Sequence, residues 1–249
     1  MVNSPESTGL YVCPQCKGEL DFNGSAFSCF SCQRNYPIVD GIPDFLFGDS
    51  ARNNDPLLRN VAQIDRMASF YESTWWYPLV LNFYAGWHCT TFADLVLYFR
   101  DTMKFVQGLI LDVACGPATF GRRVASKNNT IYGIDISPGM LRHGVAYAAQ
   151  ERVANIHLSR SRVEALPFAD RTFDAAICSG SLHLFPDTVQ ALNEIERALK
   201  PAAPLAVMTF TSGDKGLFKL TWARKRVQKR GFHLFALDEM ELILLESGF

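Results

Sequence analysis

The chain has 249 residues, enough for one main domain with a small appendage and short of two full domains. With 48% hydrophobic and 20% charged residues it is not a disordered chain, and a formal net charge of -1 gives no basic field for nonspecific nucleic-acid binding. The N-terminus MVNSPESTGL lacks the layout of a signal peptide and no apolar run reaches the roughly 18 residues of a spanning helix, so a cytoplasmic protein with no membrane span is expected.

Residues 1–48 read as a turn-rich module. Within it Cys13-Pro-Gln-Cys16 and Cys29-Phe-Ser-Cys32 are two paired-cysteine knuckles whose thiolates can point to one centre and complete the tetrahedral four-thiolate set that zinc prefers. With every coordination position held by protein, the expected metal is structural rather than catalytic, and it supplies folding energy that so short a module cannot find in its own core. The remaining cysteines, Cys89, Cys115 and Cys178, lie in apolar runs and read as reduced, buried thiols. Residues 49–108 form a helical, aromatic cap or linker of two or three helices, including ASFYESTWWYPLVLNFYAGWH and FADLVLYF. Residues 109–249 alternate short apolar runs with amphipathic stretches, which predicts an α/β fold: a Rossmann-like, doubly wound parallel sheet with helices on both faces.

The strand Leu109 to Val113 runs into the small-residue turn Ala114-Cys115-Gly116-Pro117-Ala118-Thr119 and then a helix beginning near Phe120. Such a turn brings backbone close to a ligand at the carboxyl edge of the sheet. Asp135 ends the next apolar run, where an acid can accept hydrogen bonds from both ribose hydroxyls. A dinucleotide fold shares these features, but the alanines at 114 and 118 and the acid Asp112 just ahead suit a cationic amino group better than a diphosphate.

LDVACGPATFGRRVA, YGIDISPGML, VEALPFADRTFDAAICSGSLHLFPD and ALNEIERALKPAAPLAVMTF, in this order, resemble the class I S-adenosylmethionine-dependent methyltransferases, especially those related to the ubiquinone and menaquinone C-methyltransferases. The run from Leu10 to Phe47 resembles zinc-ribbon-like modules found beside methyltransferases, fused or as separate activator subunits. The resemblance implies that Asp112 and the Ala114, Cys115 and Gly116 backbone hold the methionine moiety of S-adenosylmethionine, and that Asp135 holds its ribose. Ile136 and Met140 would pack on the adenine. The acid that commonly precedes the LPF motif by four residues is here Arg162, so adenine recognition is expected from the Val163 backbone. Ser179 should approach the sulfonium, and Tyr71 resembles a tyrosine laid over the cofactor from a helix before the sheet.

Methyl transfer from a sulfonium is an in-line displacement, so alignment and water exclusion provide much of the catalysis. His183 stands where it can serve as a base if the acceptor must lose a proton, and His88 is a second candidate. Tyr71, Trp75, Trp76, Tyr77, Phe83, Tyr84 and Trp87 read as core or as pocket lining, the latter implying an apolar or aromatic acceptor. No Asn-Pro-Pro-aromatic motif follows the fourth strand, which argues against amino-group methylation of that type.

The sequence accommodates three functions: C- or O-methylation of a small hydrophobic metabolite, methylation of a guanine in ribosomal RNA, and a cofactor-binding scaffold. The stretch Trp222 to Arg230 is the feature that would meet RNA phosphates. The resemblance implies two further strands beyond the fifth, one antiparallel, which the sequence up to Phe249 does not supply. That strand edge, like the zinc module, is a place where a protein partner or a second copy can attach.

Overall fold

A computed structural model describes residues 9–46, 61, 65–84, 90–212, 217–229 and 232–249, with the Tyr84 side chain left aside. The module is an antiparallel meander of four short strands, β1 (Leu20–Phe22), β2 (Ala26–Cys29), β3 (Asn35–Val39) and β4 (Ile42–Pro43). Two helices follow, α1 (Trp76–Tyr84) and α2 (Phe92–Met103). Pro78 fits α1 because it falls in the first helical turn, where no backbone N–H is needed. A reciprocal capping box between Thr91 and Asp94 starts α2.

The main sheet has five strands, β5 (Gly108–Val113), β6 (Asn129–Asp135), β7 (Ile156–Arg160), β8 (Ala175–Ser179) and β9 (Leu205–Met208), in the order β7-β6-β5-β8-β9 with every pairing parallel. Helices α3 (Thr119–Val124), α4 (Pro138–Glu151) and α5 (Thr188–Ala198) make the crossovers, and α6 (Thr221–Gln228) and α7 (Leu237–Glu246) follow. The chain winds one way through β5, β6 and β7 and the other way through β8 and β9. The switch point therefore lies at the carboxyl end of β5, where open sheets of this kind bind ligands.

Alternation along the strands builds two cores. Ile110, Ile131, Ile156, Leu158 and Ile177 face helices α1 to α4, whereas Leu111, Val113, Tyr132, Ile134 and Cys178 face α5, α7 and the module. The module thus occupies a place in the layer of one sheet face. Tyr11, Phe27, Tyr36 and Phe45 are buried in the same core as Phe168 and Phe173, and Tyr11 stacks on Phe168 with centroids 5.4 Å apart. Each such ring contributes roughly 1.5–3 kcal/mol of burial. Backbone pairing joins the two parts as well: Phe45 N–H donates to the Arg160 carbonyl at 2.9 Å and Val12 N–H to the Pro167 carbonyl at 3.0 Å. Residues 44–45 thereby cover the outer edge of β7, which would otherwise present unpaired backbone groups.

At the opposite edge, among the described residues, β9 pairs with β8 alone. Just beyond it Thr211 bridges Phe235, and α7 closes over α5 so that Gly248 lies against the Glu196 side chain. The edge expected to be bare is thus partly flanked by the C-terminal segment. Among the described residues no helix is long and apolar enough to cross a membrane.

Candidate cofactor and metal sites

The four sulfurs of Cys13, Cys16, Cys29 and Cys32 lie within 4.8 Å of one another. Cys13 Sγ is 3.6 Å from Cys32 Sγ, and Cys16 Sγ is 3.5 Å from Cys29 Sγ. A tetrahedron with Zn–S bonds of about 2.3 Å has edges near 3.8 Å, so the set fits zinc. Both knuckles close alike: the carbonyls of Cys13 and Cys29 accept from the N–H of Lys17 and Gln33, and each of those residues has φ 58. Left-handed backbone favours glycine, so Lys17 stands there at some strain. Its side chain shows why a lysine is useful. Lys17 Nζ donates to the Leu166 carbonyl at 2.9 Å and to Glu194 Oε2 at 2.7 Å, tying the knuckle to the main domain.

At the end of β5, Ala114, Gly116 and Ala118 have φ of 49, 56 and 55. Three left-handed residues in five draw the turn tight, and nothing lies within 4 Å of the place where a side chain on Gly116 would begin. Cys115 is buried, its N–H on the Ile134 carbonyl and its sulfur against Gly133. Alanine is strained in this conformation by roughly 1–2 kcal/mol, partly offset by the greater entropy of a glycine chain when unfolded. Ala114→Gly, and Ala202→Gly in the exposed turn at φ 62, are each expected to gain about 0.5–1 kcal/mol in denaturant unfolding. A loss at Ala202 would contradict the strain assigned to these turns.

Two acids face this turn. Asp135 accepts the Gly116 N–H on Oδ2 and the Ser137 N–H on Oδ1, both at 2.8 Å, and so fastens the first loop to the second. Burial raises its pKa despite these donors. Asp112 is wholly buried; its Oδ2 accepts the Gly121 N–H at 3.1 Å while Oδ1 has no hydrogen-bond partner. Burial pushes its carboxyl up to about 8, with the charge of Asp135 adding to the effect. A buried acceptor left without a partner costs free energy, and a cationic amino group on Oδ1 would relieve it.

Tyr71 lies within electrostatic reach of both acids. The charges of Asp135 and Asp112 bear on its hydroxyl, which burial raises to about 12, and that hydroxyl shares a hydrogen bond with Tyr77. It lies in a run of turns over residues 68–75 and not in a helix, because the bonds Ser73 N–H to Phe70 carbonyl and Trp76 N–H to Ser73 carbonyl close short loops there. Residues on either side latch the segment down. Asp65 accepts from the Ser137 hydroxyl and from the Gly139 N–H at 3.0 Å, at the start of α4 where an acid suits the helix dipole. Glu72 accepts from the Thr119 hydroxyl at 2.5 Å and pairs with the buried guanidinium of Arg122. Asp65, Glu72, Thr119 and Arg122 escape a reading by spacing, since their pairings span 47 to 74 residues.

Ile136 is partly exposed and Met140 is buried at the first turn of α4. The Ile136 carbonyl accepts from Arg160 Nε at 3.0 Å, and Arg160 Nη1 pairs with Asp44 of the module at 2.9 Å. The module thus reaches the residue next to Asp135. Arg162 caps a short 3-10 turn, Val163–Ala165, with Val163 buried. Ser179 ends β8 on the same carboxyl edge. His183 sits in another 3-10 turn, Leu182–Leu184, with Nδ1 3.2 Å from Thr209 Oγ1 and its ring between Phe210 and Phe232. Burial lowers its pKa to about 4, so the imidazole is neutral at ordinary pH. His88 and Trp87 lie outside the described residues.

Residues 110–202 match a methyltransferase domain family and residues 11–41 match the Trm112p-like protein family. The chain carries a class I methyltransferase domain behind a Trm112p-like zinc module. S-adenosylmethionine is the cofactor that goes with this domain, and zinc is the metal that goes with the module. The chain is 26% identical over 225 residues to an uncharacterized chloroplastic methyltransferase of Arabidopsis thaliana, covering 82% of this chain and 63% of that one. It is 34% identical over 117 residues to a demethylmenaquinone methyltransferase of Lactiplantibacillus plantarum, covering 45% and 49%. It therefore spans less than two thirds of the length of these relatives. Among solved structures, a complex of the Haloferax volcanii Trm112 methyltransferase activator and a methyltransferase matches with a TM-score of 0.57 and 16% identity, over 74% of this chain and 75% of that one. That likeness is one of fold.

Proposed function

We propose that the protein transfers a methyl group from S-adenosylmethionine to carbon or oxygen of a small hydrophobic or aromatic metabolite. The observation that carries this reading is that Asp135 holds the Gly116 turn and Asp112, with an unpartnered Oδ1, holds the start of the following helix, both at the switch point of the sheet. When bound, the cofactor supplies an electrophilic methyl group on a sulfonium. Asp135 keeps lone pairs beyond those given to Gly116 and Ser137, and these would accept the ribose hydroxyls. The Asp112 Oδ1 would take the amino group, and the Val163 backbone, with Arg162 beside it, would meet the adenine edge flanked by Ile136 and Met140. Tyr71 would exclude water from above, and Ser179 and His183 would line the acceptor side. Its low pKa makes His183 a weak base, so its role on the acceptor side would be to orient an acceptor hydroxyl, such as that of a phenol, by a hydrogen bond, with full proton removal left to solvent. The names of the menaquinone-modifying relatives favour an acceptor of that aromatic kind.

Calorimetric titration with S-adenosylmethionine tests the reading, and binding no better than millimolar would end it. The same titration carries a further prediction. Without a partner on Oδ1, the Asp112 carboxyl, pushed up to about 8, would hold its proton at pH 7. A cation placed on Oδ1 favours the charged form, so binding is expected to release close to one proton. The apparent enthalpy should then differ between phosphate and Tris buffers, and Asp112→Asn should remove the difference. Equal enthalpies for the unaltered chain would refute the contact.

A second reading, methylation of RNA, is favoured by the basic helix α6. Salt-sensitive binding to ribosomal RNA fragments, lost on replacing Arg224, Lys225 and Arg226 by alanine, would support it.

A further inference from the structure

Helix α1 carries no charged residue, and its inward face is set by Tyr77 and Leu81, which are buried. Its outward face is just as apolar: Leu79 is 56% exposed and Trp75, one turn earlier, is 51% exposed, with Phe70 in ring contact with Trp75. A helix that is apolar all round belongs in a core or against another apolar phase. The acids of this segment do not counter that face, since Asp65 and Glu72 are turned inward onto α4 and α3. Helix α1 packs against the 3-10 turn Leu217–Lys219, which leads directly into α6. There Leu220 and Trp222 are exposed, the latter by 61%. Around them stand Lys219, Arg224, Lys225, Arg226 and Lys229, with no acid anywhere between Leu217 and Lys229. Among the described residues none of these cations is in an ion pair. In a chain of net charge -1 this is a concentrated positive patch interleaved with apolar side chains.

We propose that α1 and the start of α6 form a docking face for an anionic lipid bilayer. Exposed tryptophan and leucine enter the headgroup boundary while flanking lysine and arginine meet the lipid phosphates, the combination that holds peripheral proteins at a membrane surface. RNA would use the cations but gives no role to Leu79, Trp75 or Leu220. The place in the fold gives the docking a purpose. Phe218, in the turn ahead of α6, touches Phe210, whose ring in turn touches His183, so the patch borders the acceptor side of the site. For this purpose the proposal rests on the reading of a hydrophobic acceptor, which would reach the protein from the lipid phase.

The test is co-sedimentation of the full, zinc-loaded chain with vesicles of phosphatidylcholine, with and without phosphatidylglycerol. Binding is expected at least ten-fold stronger on the anionic vesicles and weaker as salt rises. Replacing Arg224, Lys225 and Arg226 by alanine should weaken it by about 100-fold, about five-fold for each cation. Leu79→Asn with Trp222→Ser should also weaken it, with circular dichroism showing the fold kept. Failure to bind anionic vesicles, equal binding to neutral ones, or displacement from vesicles by an equimolar structured RNA would overturn the proposal. Vesicle binding needs neither cofactor nor methyl transfer, so a chain that docks but takes no S-adenosylmethionine sinks the catalytic reading and leaves the docking face standing.

Discussion

Stripping zinc from the module is expected to lower the thermal midpoint of the whole protein by about 10 °C or more. Structural zinc contributes an apparent 10–16 kcal/mol to folding in small zinc modules at neutral pH. Here the loss would not stay local. Tyr11, Phe27, Tyr36 and Phe45 share one core with Phe168, Phe173 and Tyr132, and residues 44–45 cover the edge of β7. A loss of roughly 5 kcal/mol moves the midpoint of a chain of this size by about 10–20 °C. Cofactor affinity should fall with it, because Asp44 steadies Arg160 and Arg160 holds the Ile136 carbonyl beside Asp135. Melting curves with and without a chelator, checked by colorimetric zinc release, decide the matter. An unchanged midpoint in protein shown to be metal-free would mean that the module stands without its metal.

Asp135→Asn is expected to weaken S-adenosylmethionine binding by about 100-fold or more. The carboxylate now accepts from Gly116 and Ser137 and keeps capacity for two more donors. The amide keeps one acceptor oxygen and turns an NH2 toward an N–H, which loosens the loop and removes charge-assisted bonds worth about 1.5–3 kcal/mol each. At 1.4 kcal/mol per decade, two such bonds account for the stated loss. Asp21→Asn in the exposed strand β1 serves as control. Calorimetry on both variants measures the effect, and an affinity within three-fold of the unaltered chain would remove Asp135 from the ribose site.

Much of this site is legible along the chain because its parts are local. Two cysteine pairs, a small-residue turn after an apolar strand, and an acid at the end of the next strand each have a spacing set by knuckle, turn or strand geometry. The alternation of residues 109–208 likewise reports a parallel sheet, since strand and helix periods differ. What is not legible is the way polar side chains meet across the fold. Lys17 finds Glu194, Asp44 finds Arg160 and Glu72 finds Arg122 with no sequence period to announce it. Glu194 alone leaves a trace: it sits on the inward side of α5 with Ala191, Ile195 and Ala198, where an acid needs a partner to be buried. Tyr71, expected on a helix, lies on turns, because short loop-closing hydrogen bonds over residues 70–76 win over helical continuation.

The covering of β7 by residues 44–45 also bears on how the protein comes into being. Asp44 and Arg160 are 116 residues apart, and Lys17 and Leu166 are 149 apart. A ribosome adding about 5–20 residues per second completes the module several seconds before its partner strand exists. During that interval Tyr11, Phe27 and Phe45 have no main-domain core to enter, and metal capture is what can hold the meander together. Contacts of such long range also slow the final docking. Newly made chains short of zinc are therefore the ones most exposed to misassembly, before any question of catalysis arises.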